Sequence, residues 1–399
     1  MVEVIKSEND DRNYKYLTLE NKVCILLISD PTSEKSAASA SIYAGFTSDP
    51  DNVPGIAHFC EHMLFLGTEK YPDESEYSNF IVQHGGGPNA CTGHQYTNYF
   101  FDVKSESLSE AIDRFAQFFI SPLFTASATD RELNAIDSEH QKNVLNDQWR
   151  KNYIHAITAR EGHVYRKFGT GNLETLKTIP EKENISIRDL LLEFHSKYYS
   201  ANIMTVAILG KEDLETMEKQ IAPLFSQVQN KNAEIPECKE FPFGEDELGI
   251  MIKIPPIKEM KKLDLEFTLP DLREHYRCNP TRYISHLIGH EGEGSLLSLL
   301  KKKLWVNELY SGNYRVLRGF EFFIISMELT DEGLNNTMEI IAICFQYIKM
   351  MTEEGPQERL YRELKVCLFP VVIKLIEQRI ETIIGPPQAT WWLHLKVEK

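Results

Sequence analysis

His58-Phe59-Cys60-Glu61-His62 reads H-x-x-E-H, the reverse of the H-E-x-x-H pattern that holds a metal on one helix face. On a helix, His58 and His62 are four residues apart and lie one turn above the other. That spacing lets two imidazoles reach one ion. Glu61 borders the same face, placed to hold a water at the metal without being a ligand. Two ligands and a base are an incomplete set, because a catalytic zinc takes three protein ligands and one open position. The rest of the chain is expected to supply the third ligand. A solvated surface helix is the plainer reading, but it fits the neighbours poorly. Ile56, Ala57, Phe59, Met63, Leu64, Phe65 and Leu66 surround the motif, and two His and a Glu on a buried helix need partners.

Working outward, residues 21–29 and 35–47 read as strands. Residues 49–53 read as a loop, and Pro54 and Gly67 bracket the helix that carries the motif. Asp73-Glu74-Ser75-Glu76 resembles a capping box and opens a second helix that runs to Gly85-Gly86-Gly87-Pro88. Residues 89–103 are rich in Thr, Tyr and Phe and read as a strand pair. Helices follow from Ser107 through Phe119 and over 130–150. A helix from the Ser186 cap to Tyr199, a strand over 203–209 and a helix over 214–228 complete the first half. Strands and helices mix without strict alternation, which is the α+β pattern.

The third ligand is expected on the helix over 130–150. Glu132 and Glu139 are seven apart and share a face, and Asp137 lies on another. Either glutamate could complete the set while the other orients a ligand from behind. Spacing does not choose between them, and a solvated helix face is the plain alternative for both. Cys60 points to the opposite face from the histidines and is not expected to bind.

Residues 230–249 are polar, acidic and hold Pro236 and Pro242, as a linker does. Beyond them the order of elements repeats. There is a strand over 263–269, a helix with His286-Leu287-Ile288-Gly289-His290, and a short helix over 295–305. A strand pair over 309–329, a helix over 332–352 and another from Pro356 follow. Gly289 stands in the place of Glu61. Glu139 lies 77 positions after His62, and 77 positions after His290 lies Cys367. We expect a duplicated domain with one catalytic and one degenerate copy, facing each other around a substrate. Ordinary partly buried histidines are the alternative reading of His286 and His290.

The chain of 399 residues has room for two or three domains, and its 42% hydrophobic and 26% charged residues are those of a globular protein. A net charge of −16 argues against nucleic acid or an anionic membrane as main partner. Seven scattered cysteines without C-x-x-C suggest reduced thiols in a cytoplasmic compartment. The N-terminal residues have neither a signal-peptide core nor an Arg-rich transit character. No run of 18 apolar residues marks a membrane span.

His58 to Pro72 (HFCEHMLFLGTEKYP) and Asp130 to Asp147 (DRELNAIDSEHQKNVLND) resemble the inverse-zincin metallopeptidases. FGTGN at 168–172, SHLIGHEGEGSLLSLLK at 285–301 and EEGPQE at 353–358 are similar to the same family. The resemblance covers about Ile5 to Lys365. It implies repeated α+β domains of mixed, mainly antiparallel sheet packed with helices, the fold shared with the mitochondrial processing peptidases. It also implies one zinc per chain held by His58, His62 and Glu139, with Glu61 as general base and Glu132 in support. The reaction implied is hydrolysis of unfolded or small peptides, hormones and amyloid-forming peptides among them. Asn89, Ala90 and Cys91 match an edge strand to which a peptide adds as a further strand. His286, Gly289, Glu291, Leu309 and Ser311 match a second site for the substrate's N-terminus. Two departures stand out: Cys91 occupies a position often aromatic in the family, and Ser311 a position held by Gly.

The domains expected are residues 1–232 (catalytic), a linker over 233–248, an incomplete second domain over 249–365 and a divergent tail over 366–399. Family members carry a further C-terminal half that supplies the other wall of the chamber. Its loss is expected to leave an apolar face exposed. A second reading follows: a catalytically weak product that binds peptides or pairs with a C-terminal half or a full-length homologue.

Overall fold

The computed structural model describes residues 6, 9–236, 238, 240–276 and 278–364. The strands are β1 (Asn13–Thr18), β2 (Cys24–Ser29), β3 (Lys35–Ile42), β4 (Gly87–Thr92), β5 (Thr97–Lys104), β6 (Met204–Gly210), β7 (Lys262–Pro270), β8 (Val306–Leu317) and β9 (Phe320–Leu329). The helices of the first half are α1 (Ile56–Met63), α2 (Glu76–Gln83), α3 (Leu108–Ile120), α4 (Ala126–Val144), α5 (Asp147–Ile157), α6 (Ile179–Glu183), α7 (Ile187–Tyr198) and α8 (Leu214–Phe225). Those of the second are α9 (Pro280–Ile288), α10 (Leu296–Lys302), α11 (Asp331–Asn335) and α12 (Thr337–Glu354).

The described residues form two compact units. One holds residues up to 141 together with 167–236, and the other holds 142–166 and the residues from 237 on. Residues 142–166 fall inside the range 1–232 that the sequence suggests as one domain, yet they cluster with the second unit. The tail over 366–399 and the first five residues lie outside the described residues.

The first unit is built on a six-stranded sheet ordered β1-β2-β6-β3-β5-β4. Only β2 and β6 run parallel; the other neighbours are antiparallel. Between Lys35 and Ile42, β3 is Ala and Ser alone and is mostly buried on both faces, which suits a central strand covered on each side. β4 is an edge. The core is strongly aromatic: Tyr77, Phe101, Phe115, Phe118 and Phe119 interlock, with Tyr77 and Phe118 centroids 4.6 Å apart and edge to face. Each such buried ring contributes roughly 1.5–3 kcal/mol through area alone.

The second unit carries a three-stranded antiparallel sheet ordered β7-β9-β8. This repeats the order β3-β5-β4 of the first sheet. α9 follows β7 as α1 follows β3, so the duplication expected from sequence is visible in the order of elements. Ala159 and Tyr165 from the 142–166 segment pack with Phe243, Leu317, Phe320 and Phe322 in a separate small core.

Several expected bounds shift, among them the helix expected over 332–352, which is α11 and α12. The helix expected over 130–150 is two helices, because the Asn146 side chain accepts from Gln148 N and Trp149 N and starts α5 afresh. Thr125 Oγ1 accepts from Ala128 N and opens α4 earlier than expected. The strand expected over 35–47 ends at Ile42, and residues 46–48 form a 3-10 turn.

Candidate metal and catalytic site

α1 begins without a side-chain cap from its own N-cap residue, Gly55, which sits at φ 104°. Asp49 caps it from outside: Oδ2 accepts from Gly55 N at 2.7 Å and Oδ1 from Ala57 N at 2.8 Å. Burial lifts the Asp49 carboxyl to about 7, against the pull of these amides and of Lys167. Gly55 is required by packing as well as by φ, since a Cβ there would lie 2.4 Å from Gly171 Cα.

Ile56, Ala57, Phe59, Cys60 and Met63 bury the helix in the aromatic core. This leaves His58 and His62 together on the remaining face, with ring centroids 4.8 Å apart. Cys60 does point away from them. Its thiol is fully buried and pushed up to about 12 by that burial.

α4 brings both glutamates to the same imidazole. Glu132 Oε2 lies 3.0 Å from His62 Nδ1, and Glu139 Oε2 lies 3.7 Å from His62 Nε2. The same Glu139 oxygen is 3.6 Å from His58 Nε2. Thr170 O is 2.7 Å from His58 Nδ1. A carbonyl only accepts, so His58 Nδ1 carries the hydrogen and its neutral form turns an Nε2 lone pair toward Glu139. Glu132 sets His62 in the same way. Two lone pairs and a carboxylate oxygen thus converge, all within 4.8 Å of one another. Such a trio is stable only around a cation or a shared proton. Without an ion, burial works against charging His62, but Glu132 and Glu139 outweigh it and raise its pKa to about 9. Ligands on a tetrahedral ion with bonds near 2.0–2.1 Å are about 3.4 Å apart, close to the 3.6 and 3.7 Å between Glu139 and the two histidines. The donor set fits a divalent metal.

Asp137, on the other face of α4, is occupied elsewhere: its Oδ1 accepts from Leu173 N at 3.0 Å. That bond ties α4 to the 168–173 loop that presents Thr170.

Glu61 is buried, with 7% of its surface exposed. Burial raises its carboxyl pKa, opposed by His58, Thr92 and His62 and helped by Glu139. Thr92 Oγ1, at the end of β4, donates to Glu61 Oε2. Spacing in the sequence gives no sign of this contact or of Thr170, which acts through its backbone.

Asn89, Ala90 and Cys91 lie on the edge strand β4, with Asn89 Oδ1 accepting from Ala90 N at 2.9 Å. Burial and the Glu61 charge push the Cys91 thiol up to about 11. In the second unit, His286 lies on α9, Gly289 caps its end and Glu291 is exposed just beyond. Leu309 and Ser311 are buried on the edge strand β8. Ser311 Oγ donates to Ser285 O at 3.0 Å. A Cβ at position 289 would lie 2.9 Å from that carbonyl and 3.3 Å from Ser311 Oγ, so the Gly is needed for packing.

Residues 24–168 match the family described as Insulinase (Peptidase family M16), and residues 186–366 match its Peptidase M16 inactive domain. The chain belongs to peptidase family M16. Insulin-degrading enzyme of Homo sapiens is 52% identical over 362 residues, which are 91% of this chain and 36% of that protein. The A-factor-processing enzyme of Saccharomyces cerevisiae is 46% identical over 364 residues, 91% of this chain and 35% of that protein. The chain therefore spans about a third of the length of these M16 relatives. The crystal structure of pitrilysin superimposes with a TM-score of 0.88 at 30% identity, covering 97% of this chain and 40% of that one. The first half of the periplasmic protease PqqL from Escherichia coli shares the fold, with a TM-score of 0.75 at 16% identity over 95% of this chain and 80% of that one. Among the described residues, no helix is long and apolar enough to cross a membrane.

Proposed function

We propose that this chain is a zinc metalloendopeptidase acting on unfolded or small peptides, hormones and amyloid-forming peptides included. The observation that carries the reading is the convergence of His58 Nε2, His62 Nε2 and Glu139 Oε2 beside the buried carboxylate of Glu61. His58, His62 and Glu139 would hold the ion, and Glu132 and Thr170 would hold the histidines. When bound, zinc supplies a Lewis acid that polarises a carbonyl and acidifies water. Glu61 takes a proton from the attacking water and returns it to the leaving nitrogen, a task suited to a carboxyl whose pKa burial has raised.

A peptide would add along the free edge of β4 at Asn89, Ala90 and Cys91, bonding through its main chain. Asn89 Oδ1 holds one of the amides on that strand and would give it up to the incoming peptide. His286, Gly289 and Glu291 would receive the substrate's N-terminus. Because the Leu309 and Ser311 side chains are buried, those two would contribute backbone alone. The compartment we assign is the cytoplasm, in keeping with free thiols at Cys24, Cys60, Cys91, Cys238, Cys278 and Cys344.

A second reading rests on the same donor set. In it the metal site is intact but turnover is weak, and the chain binds peptides or pairs with a C-terminal half or a full-length homologue. Cleavage of an internally quenched peptide by the zinc-loaded chain, beside Glu61→Gln, separates the two. Cleavage that vanishes in the variant supports the peptidase. Zinc bound one per chain with no cleavage by either supports the second reading.

A further inference from the structure

We propose that Thr92 is the positioning residue for Glu61, locking one carboxylate oxygen so that the other is the proton acceptor. The proposal rests on the reading of Glu61 as general base and assigns a role to a residue outside the metal set.

Thr92 has one hydroxyl hydrogen and two oxygens near it. Glu61 Oε2 accepts from it, and Thr97 Oγ1 lies 3.4 Å away across the strand pair. Thr97 is fully buried and spends its own hydrogen on Ala44 O at 2.9 Å. A carbonyl cannot donate, so the Thr97 hydroxyl has nothing left to give Thr92. With Glu61 ionised, as a general base is before it acts, the direction follows: Thr92 gives its hydrogen to Glu61 and gets none back from Thr97. A charged, buried acceptor is also the stronger one.

The two Glu61 oxygens thus differ. Oε2 is tied to β4. Oε1 has no hydrogen-bond partner among the described residues, yet it is not one of the buried orphan atoms. It is not fully closed off, and it is the carboxylate oxygen left to meet a water. The register pairs Thr92 directly with Thr97, and alternation along a strand puts Ala90 on the same face as Thr92. The strand proposed to receive the peptide is therefore the strand that aims the base. Binding of a peptide along β4 would stiffen the element that carries the Thr92 hydroxyl.

Two measurements test this on the zinc-loaded chain. In peptide cleavage, Thr92→Val is expected to lower kcat by about 10–100-fold, part of the full general-base effect, with KM and bound zinc unchanged. Thr92→Ser keeps the hydroxyl and is expected to restore kcat to within a few-fold. The second readout needs no activity: a double-mutant cycle in denaturant unfolding between Thr92→Val and Glu61→Met. In the native background, losing the hydroxyl should shift the unfolding equilibrium by about tenfold or more, and in the Met background it should shift it little. Thr92→Ala replaces Val in both if Val is not accommodated. An additive cycle overturns the proposal, as does a Thr92→Val enzyme with native kcat. A native chain that cleaves nothing would sink the peptidase reading, while the cycle would still decide whether Thr92 holds Glu61.

Discussion

The carbonyl oxygen of Thr170 lies 2.7 Å from Nδ1 of His58, so a backbone group on a loop 112 residues downstream sets the tautomer of a proposed metal ligand. Two glycines make that placement possible. Gly169 lies against the Phe46 ring, 2.3 Å from where a Cβ would sit. Gly171 adopts φ +73° against Gly55 Cα and Leu176.

Gly171→Ala is therefore expected to damage both fold and site. Its Cβ would meet Leu176 Cδ1 at 2.6 Å and Gly55 Cα at 3.1 Å, and the αL backbone alone costs about 1–2 kcal/mol. Gly162 is the control, at φ +76° with nothing within 4 Å of a Cβ. Gly162→Ala should show the backbone cost alone and keep zinc affinity. Equal losses of stability and of zinc affinity in the two variants would contradict the role given to the 168–173 loop.

Glu132 and Glu139 should separate cleanly in a chelator-competition titration. Glu139 faces Nε2 of both histidines, so Glu139→Ala is expected to abolish tight zinc binding. Glu132 pairs with His62 Nδ1 and with no other ring nitrogen among the described residues, so Glu132→Ala should leave one zinc per chain, bound about 10–100-fold more weakly. The reverse ranking would exchange their roles.

The ambiguity between these two glutamates in the sequence has a structural counterpart, since both do reach His62. Heptad spacing places them on one face, and only side-chain reach assigns one to each ring nitrogen. The duplication was legible because strand and helix order survives even where Gly289 has replaced the acid. β1 was not, because Asn13–Thr18 alternates weakly and carries polar residues on a sheet edge. The break between α4 and α5 was signalled by Asn146-Asp147, but the polar pattern runs through it and hides the stop. Asp49 and Thr170 could not be found by spacing, since one caps a helix from six residues upstream and the other acts through its carbonyl.

In the second unit, Lys151 on α5 is paired with Asp264 on β7, and Asp264 is 1% exposed. Lys151→Met strands that carboxylate in the interior and should cost about 3–5 kcal/mol in denaturant unfolding. Lys151→Met with Asp264→Leu removes both charges and should recover most of the loss. A double variant no more stable than the single one would mean that the pair matters by shape and not by charge.

His195 predicts how the chain meets acid. It is stacked on Tyr199 at 4.6 Å, and its Nε2 has no hydrogen-bond partner among the described residues. Burial, helped by the Lys231 charge, lowers its pKa to about 3. Unfolded, the imidazole titrates near 6.5. Between those values the unfolded chain binds a proton that the native chain refuses, so native stability falls as pH drops through about 6.5 and the loss levels off near 3. The slope is about tenfold in the folding equilibrium per pH unit, or ~1.4 kcal/mol. His195→Phe keeps the ring stack and removes the proton site. Its stability between pH 4 and 6 should therefore fall less steeply than that of the native chain, by about one proton. Parallel lines for the two proteins over that range would show that His195 is protonated in the folded state, and that the site beside Tyr199 admits the charge.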